Sequence, residues 1–142
     1  MRILHRAHRE GYKAGALAAG LAQSRTPWKI VVGHHPIHSG GHHGDTPELV
    51  ARIKPLLEAH GVQAYLCGHD HVLQHIRAGG VNYVCTGAGA SAGHATDVEG
   101  TLFRDSQPGF AMFAVAGDVL RLEFRDFKGR PLYQAAIPRA RT

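Results

Sequence analysis

Two short segments of the sequence place a glycine and then a histidine at the end of an apolar run. Residues 30–36 read IVVGHHP and residues 65–71 read YLCGHDH. Glycine lets the backbone turn tightly and approach a ligand, and imidazole is a neutral nitrogen ligand for ions such as Zn, Fe or Mn. One His-x-His is weak evidence for a metal. Two Gly-His segments about 35 residues apart indicate a metal site much more strongly.

A third segment, HSGGHHGDT at residues 38–46, lies between these two and has the composition of a loop. The chain contains 12 histidines, and most of them lie between residues 34 and 71. Such a local surplus favours metal or phosphate chemistry over random surface composition.

The elements on either side of these segments are expected to bring them together. Residues 28–32, 62–67 and 81–86 are apolar runs of the kind that form buried strands. Open α/β sheets bind ligands at the carboxyl ends of their strands, where the following loops converge. The histidines that follow the first two strands are therefore predicted to lie at one edge of a sheet.

A helix is predicted between the first two strands. Thr46 can cap it and Pro47 suits its first turn. Pro55 should kink this helix or divide it in two, and Gly61 suits its C-terminal end. Residues 1–25 also have a helical pattern, interrupted by glycines, and form an atypical N-terminal segment before the domain at 26–142.

The C-terminal third predicts antiparallel strands. Residues 110–115 and 119–127 alternate around Gly117-Asp118, which is a hairpin signal, and residues 132–137 form a last strand. Strand, helix, strand and then antiparallel strands make a mixed α/β layered domain.

Composition restricts the function classes. With 142 residues, 44% of them apolar, the chain is about one domain long, and no apolar run approaches the ~18 residues of a membrane span. Residues 1–20 do not read as a signal peptide. The net charge of +5 suits anionic partners, but the sequence lacks nucleic-acid-binding motifs, so nucleic-acid binding is not favoured. Cys67 and Cys85 are expected to be buried free thiols.

Three stretches together resemble one family. Residues 24–49, 65–76 and 81–90 read SRTPWKIVVGHHPIHSGGHHGDTPEL, YLCGHDHVLQHI and VNYVCTGAGA. They are similar to the second half of the calcineurin-like metallophosphoesterases, and within that superfamily to the purple and tartrate-resistant acid phosphatases. The resemblance covers roughly residues 24–138 and implies half of an α/β sandwich, with a mixed sheet, one crossover helix and antiparallel strands at its C-terminal end.

The resemblance also implies roles for individual residues. His34 and His69 would ligate one metal ion and His71 its neighbour, the ions being Fe, Zn or Mn. His43 would be the outer-sphere histidine that contacts substrate phosphate and helps to protonate the leaving group. The remaining positions are expected to be structural or solvated: His35 and His38 packed, His42 and His75 solvated, and Asp70 orienting its loop.

Two hypotheses of function follow. In the first, the chain is an acid phosphatase-like hydrolase that cleaves small phosphate esters with a metal-bound hydroxide. In the second, it is a catalytically incomplete metal-binding half, because the family's first-half motifs of the kind GDxH, GDxxD and GNHD or GNHE do not occur. Half a sandwich would expose apolar surface, so self-association or a partner chain is expected in that case. The sequence assigns no localisation, although relatives are often exported.

Overall fold

The computed structural model describes residues 2–4 and 12–139 of the chain. Within these residues the helices are α1 (Tyr12–Gln23), α2 (Pro47–Arg52) and α3 (Lys54–Ala59). The strands are β1 (Arg2–Leu4), β2 (Lys29–Val32), β3 (Ala64–Cys67), β4 (Leu73–Ala78), β5 (Val81–Thr86), β6 (Thr101–Asp105), β7 (Gly109–Ala116), β8 (Val119–Asp126) and β9 (Pro131–Pro138).

The strands form two sheets. The six-stranded sheet has the order β1-β2-β3-β5-β4-β6, and the three-stranded sheet has the order β7-β8-β9. β1, β2, β3 and β5 run parallel, whereas β4 is antiparallel to both of its neighbours. The three-stranded sheet is antiparallel throughout. The predicted mixed sheet and C-terminal antiparallel strands are confirmed.

The central sheet is buried on both faces. Successive side chains along each strand point alternately into two cores, one on each face. In β3, Tyr65 and Cys67 point to the core shared with the helices, together with Leu21 of α1 and Leu57 of α3. Ala64 of the same strand points to the core shared with the second sheet. Helices, central sheet and second sheet therefore form three layers. On the second sheet this core includes Leu120, Leu122, Phe124 and Ile137.

The crossover between β2 and β3 is divided as its proline predicts. Pro55 lies in the first turn of α3, where its missing N–H costs nothing, and α2 ends before it. Gly61 has φ +62 and ends α3, as expected. Thr46 occupies the N-cap position of α2, but its side chain makes no capping hydrogen bond, so the prediction of a Thr46 side-chain cap is wrong.

Three strands depart from the sequence prediction. Residues 2–4 form β1, whereas a helix was expected throughout residues 1–25; the helix occupies only Tyr12–Gln23. β4 and β6 lie in stretches where the sequence shows no strand pattern. The sequence does not reveal β4 because its buried segment contains the polar residues Gln74 and His75.

His75 is 1% exposed, so the expectation that it is solvated is wrong. Asn82 Nδ2 donates to the carbonyl of Gln63, which leaves Asn82 Oδ1 to accept the His75 Nε2–H at 2.9 Å. The other ring nitrogen, His75 Nδ1, then accepts from the Tyr133 hydroxyl at 3.1 Å. These bonds hold β4 to β5 and to the second sheet, and they use the neutral imidazole.

The buried His75 should make the fold sensitive to mild acid. Burial lowers the pKa of His75 below its ordinary value, so the unfolded chain takes up a proton more readily than the folded chain does. The contribution of the neutral His75 to stability is therefore fully present above about pH 6.5, its pKa in the unfolded chain. It falls as pH decreases through that value. We expect His75→Gln to flatten this fall by up to about 1.4 kcal/mol per pH unit in urea unfolding between pH 7.5 and 5. An equal slope in His75→Gln and in the exposed-site control His94→Gln would contradict the assignment.

Cys67 and Cys85 are directly opposite each other on β3 and β5. Both are buried and neither forms a disulfide, as the sequence predicts.

Candidate metal centre

The ends of β2 and β3 bring the two Gly-His segments to one edge of the central sheet. The strands are parallel and in register, with Val32 opposite Leu66. Beyond the register the loops remain hydrogen-bonded: the Gly33 N–H donates to the Leu66 carbonyl at 2.9 Å, and the Gly68 N–H donates to the His34 carbonyl at 3.1 Å. The predicted convergence of His34 and His69 follows from this pairing.

Three imidazoles meet at this edge. His34 Nε2 lies 3.2 Å from His69 Nδ1. The His35 ring centroid lies 4.8 Å from that of His34 and 4.2 Å from that of His69. One nitrogen from each of the three rings lies within 4.8 Å of the others. Among the described residues this is the group that could share one ion, and it contains no carboxylate.

The donor set fits a nitrogen-preferring metal ion. Two imidazoles on one tetrahedral zinc, with Zn–N bonds of about 2.0–2.1 Å, hold their nitrogens about 3.4 Å apart. The observed 3.2 Å between His34 and His69 is close to that separation. His34 is exposed and His69 half-buried, so both can be reached from solvent.

The backbone of His69 has a conformation that is rare outside glycine. Its φ is +64, in the left-handed region, where a side chain is strained. This left-handed turn directs the His69 ring toward His34 and His35. If β3 continued as a regular strand, the ring would lie further along the strand direction. Burial, together with nearby His43 and His34, lowers the pKa of His69. The neutral form that binds metal is therefore favoured at neutral pH.

His35 is held at the site by the core beneath it. The Tyr65 hydroxyl donates to the His35 carbonyl at 2.8 Å. The Tyr65 ring reaches this position only because Gly33 has no side chain, since a Cβ there would lie 2.0 Å from the Tyr65 oxygen. The glycine of the GHHP segment thus makes room for the tyrosine that supports His35.

His43 approaches the same cluster from the loop at residues 38–46. Its ring centroid lies 4.3 Å from that of His69, and its side chain is exposed. The loop is held by Asp70, which is 2% exposed. Asp70 accepts the His43 backbone N–H at 3.0 Å and the Ser39 hydroxyl at 2.5 Å. The predicted role of Asp70 in orienting a loop extends to this second loop, the one that carries His43.

His71 lies apart from the three-histidine group. Its side chain is exposed, and its Nδ1 is 2.6 Å from the Ser91 hydroxyl. The structure therefore brings His34, His69 and His43 together and leaves His71 beside Ser91. His42 is exposed, and His38 packs against the Tyr83 ring while its Nδ1 bonds Asp45 at 2.8 Å.

Comparison with known proteins identifies relatives of this chain. The sequence profile described as calcineurin-like phosphoesterase matches residues 5–73. Human tartrate-resistant acid phosphatase type 5 is 37% identical over 130 residues, which cover 84% of this chain and 40% of the human protein. Arabidopsis thaliana purple acid phosphatase 3 is 38% identical over 125 residues, covering 82% of this chain and 34% of the plant protein.

The chain belongs to the calcineurin-like metallophosphoesterase superfamily. Within it, the purple and tartrate-resistant acid phosphatases are its relatives, and the chain spans about 40% of the length of the human protein.

Solved structures agree on the metallophosphoesterase fold. Purple acid phosphatase PPD1 from yellow lupin superposes with a TM-score of 0.79 at 19% identity, over 94% of this chain and 29% of the lupin chain. GAP50, described as the anchor in the inner membrane complex of Plasmodium, superposes with a TM-score of 0.83 at 22% identity, over 92% of this chain and 42% of that chain. At these identities the likeness concerns the fold alone.

Some features of the site lie beyond the reach of the metallophosphoesterase motifs. The motifs assign no metal role to His35, and the sequence favours packing for it, but the structure places it in the cluster. Ser39 and Ser91 are single serines in polar loops, with no local signal that one holds Asp70 and the other His71. The sequence signal for the contact between this loop and Asp70 is the glycine pair at residues 40–41. A Cβ at Gly41 would lie 2.6 Å from the Asp70 side chain, so the close approach requires glycine there.

Proposed function

We propose that this chain hydrolyses small phosphate monoesters in a metal-dependent reaction, as its acid phosphatase relatives suggest. The observation that carries the proposal is the meeting of His34, His69 and His43 at one exposed sheet edge. Two of these side chains would hold a metal ion and the third would face the substrate.

The residues divide the chemistry between them. His34 and His69 would hold one Fe, Zn or Mn ion, and His71 would hold a second. Such an ion acts as a Lewis acid on a phosphoryl oxygen and lowers the pKa of bound water. His43, exposed and 4.3 Å ring-to-ring from His69, can donate a hydrogen bond to a phosphate oxygen and a proton to the leaving alkoxide. Its backbone N–H is held by Asp70, so the main chain that carries the ring is in place before substrate binds.

The site is suited to small esters. His34, His43 and His71 are all exposed, so a phosphate group can approach from solvent without a deep pocket. No helix in the described part of the chain is long and apolar enough to cross a membrane.

The proposal is tested by hydrolysis of p-nitrophenyl phosphate. The purified chain is assayed with added Fe, Zn or Mn between pH 4.5 and 7.5, beside a His69→Ala, His71→Ala double variant. Loss of an outer-shell partner of a metal site already costs 10–100-fold, so loss of ligands should cost at least about a hundredfold. His94→Ala, an exposed histidine outside the site, serves as control and should retain wild-type turnover. Equal activity in the wild type and the double variant would overturn the proposal.

The second candidate is a metal-binding half that is incomplete alone. It is favoured by the lack of any carboxylate in the three-histidine group. β7 is also an edge strand, and its Phe110 and Met112 are exposed on one face, a surface suited to a second copy or a partner chain. The same assay separates these cases. Activity per chain that rises with protein concentration favours self-association, and metal binding without turnover at any concentration favours the incomplete half.

A further inference from the structure

The loop between β5 and β6, residues 87–100, contacts both the side chain and the backbone of His71. The Ser91 hydroxyl lies 2.6 Å from His71 Nδ1, and the Gly93 N–H donates to the His71 carbonyl at 2.6 Å. We propose that Ser91 is a positioning residue for the second metal ion, because it occupies Nδ1 of His71 and so presents Nε2 to that ion. The inference rests on the proposed function, since it concerns the ion assigned to His71.

The chemistry of imidazole gives this contact a consequence. A neutral imidazole has one nitrogen with a free lone pair, while the other nitrogen carries the proton. When Nε2 of His71 binds a metal ion, Nδ1 carries the proton and donates it to Ser91 Oγ. A metal ion at Nδ1 would have to displace the Ser91 hydroxyl. The contact therefore favours Nε2 as the ligand atom.

The backbone on both sides of this contact is held in place. A Cβ at Gly93 would lie 3.6 Å from the His71 carbonyl oxygen, so the loop packs directly against the residue it supports. The loop is anchored in turn by the Ala95 N–H, which donates to Ser106 Oγ at 3.0 Å. Ala95 is fully buried. Ser91 is thus carried by a segment whose position is fixed close to His71.

A purely stabilising role does not account for the pair. Ser91 and His71 are both exposed, so water can replace either partner at little cost in unfolding free energy. The expected effect of the contact is on the orientation of the ring. Histidines that bind metal commonly donate their other ring N–H to a neighbouring group, which fixes both the tautomer and the direction of the ligand nitrogen. A ring that is already oriented loses less conformational freedom when the ion binds.

Nuclear magnetic resonance of the whole chain tests the assignment of Ser91. The metal-free, ¹⁵N-labelled protein is titrated with Zn²⁺ while the two ring nitrogens of His71 are followed separately. We expect Nε2 to be the nitrogen that binds in the wild type. Ser91→Ala should weaken zinc binding at His71 by about tenfold or more and allow Nδ1 to compete. Ser91→Thr keeps the hydroxyl and should retain both the affinity and the choice of nitrogen.

Ser106→Ala is the matched control for this experiment. It removes the acceptor of the Ala95 N–H and so loosens the same loop without removing the group that contacts His71. Zinc affinity and the choice of nitrogen at His71 should stay at their wild-type values in this variant. A loss in Ser106→Ala equal to that in Ser91→Ala would overturn the assignment, because the effect would then come from the loop as a whole.

The remaining outcomes separate Ser91 from the proposed function. Binding through Nδ1 in the wild type, no zinc-dependent change at His71, or unchanged binding in Ser91→Ala would each overturn the positioning role. Hydrolysis of p-nitrophenyl phosphate is measured on the same samples. Ser91-dependent binding through Nε2 without hydrolysis would support the role of Ser91 and reject the proposed function. Hydrolysis that is lost in the His69→Ala, His71→Ala double variant but unchanged in Ser91→Ala would do the reverse.

Discussion

Gly87→Ala is expected to destabilise the fold by about 3 kcal/mol or more, since the added methyl group meets backbone atoms. A Cβ at position 87 would lie 2.1 Å from the carbonyl oxygen of Asp70 and 3.3 Å from the carbonyl carbon of Gly68. Neither neighbour is a side chain that can rotate away. The loop after β3 would have to shift, and that loop contains His69 and the Asp70 carboxylate.

The loop after β5, which contains Gly87, also offers a matched control for this variant. Gly89 lies two residues further on, and a Cβ there would meet nothing within 4 Å. Gly89→Ala should therefore change stability by no more than about 0.5 kcal/mol. Thermal unfolding should separate the two variants by roughly 10 °C for a domain of this size. Equal midpoints would show that the turn after β5 can move without cost.

The strands that the sequence predicts correctly are those whose signal is local. β2, β3 and β5 are apolar or β-branched runs ended by glycine or followed by a turn, and burial on both faces of the sheet explains why they are uninterrupted. β4 could not be found in this way because its polar residues are satisfied by distant partners. Gln74 bonds Gly40 and Thr96, which lie 34 and 22 residues away along the chain.

The same distinction between local and distant signals applies to the residues of the candidate site. That His34 and His69 meet could be predicted, because parallel strands end at one edge of a sheet. The place of His35 could not, since it depends on a left-handed residue at position 69 and on the support that Tyr65 gives from below. A histidine followed by proline after a buried strand has the same local sequence whether it packs or ligates.

The contact between the GHDH segment and the loop at residues 38–46 is a related case. The HDH of the second segment reads as two ligands with a spacer between them, but the spacer is the buried residue. Asp70 connects the loop after β3 to the loop that carries His43, through one backbone and one hydroxyl donor. Asp70 thereby links the backbone at residue 69, a candidate ligand, to the backbone at residue 43, a candidate proton donor. Asp70 itself neither binds metal nor donates a proton in this interpretation.

Asp70→Ala is expected to cost about 3–5 kcal/mol of unfolding free energy and to release the His43 loop. The change leaves the Ser39 hydroxyl and the His43 N–H without their acceptor in a buried place, at about 1–3 kcal/mol each, and adds a small cavity. Asp70→Asn should cost less, because its remaining carbonyl oxygen can still accept one of these donors.

Asp45 provides the comparison that isolates burial, because it holds the same loop from the solvent side. Its side chain is 48% exposed, and it accepts the Ser39 backbone N–H at 2.9 Å and bonds His38. Water can replace it, so Asp45→Ala should cost no more than about 1 kcal/mol. Urea unfolding gives the free energies, and hydrogen exchange at the His43 amide reports the loop directly. Unchanged protection of that amide in a folded Asp70→Ala variant would mean that the loop is held by its glycines and Asp45. The rigid link from residue 69 to residue 43 would then be lost, and His43 would have to be positioned by the substrate itself.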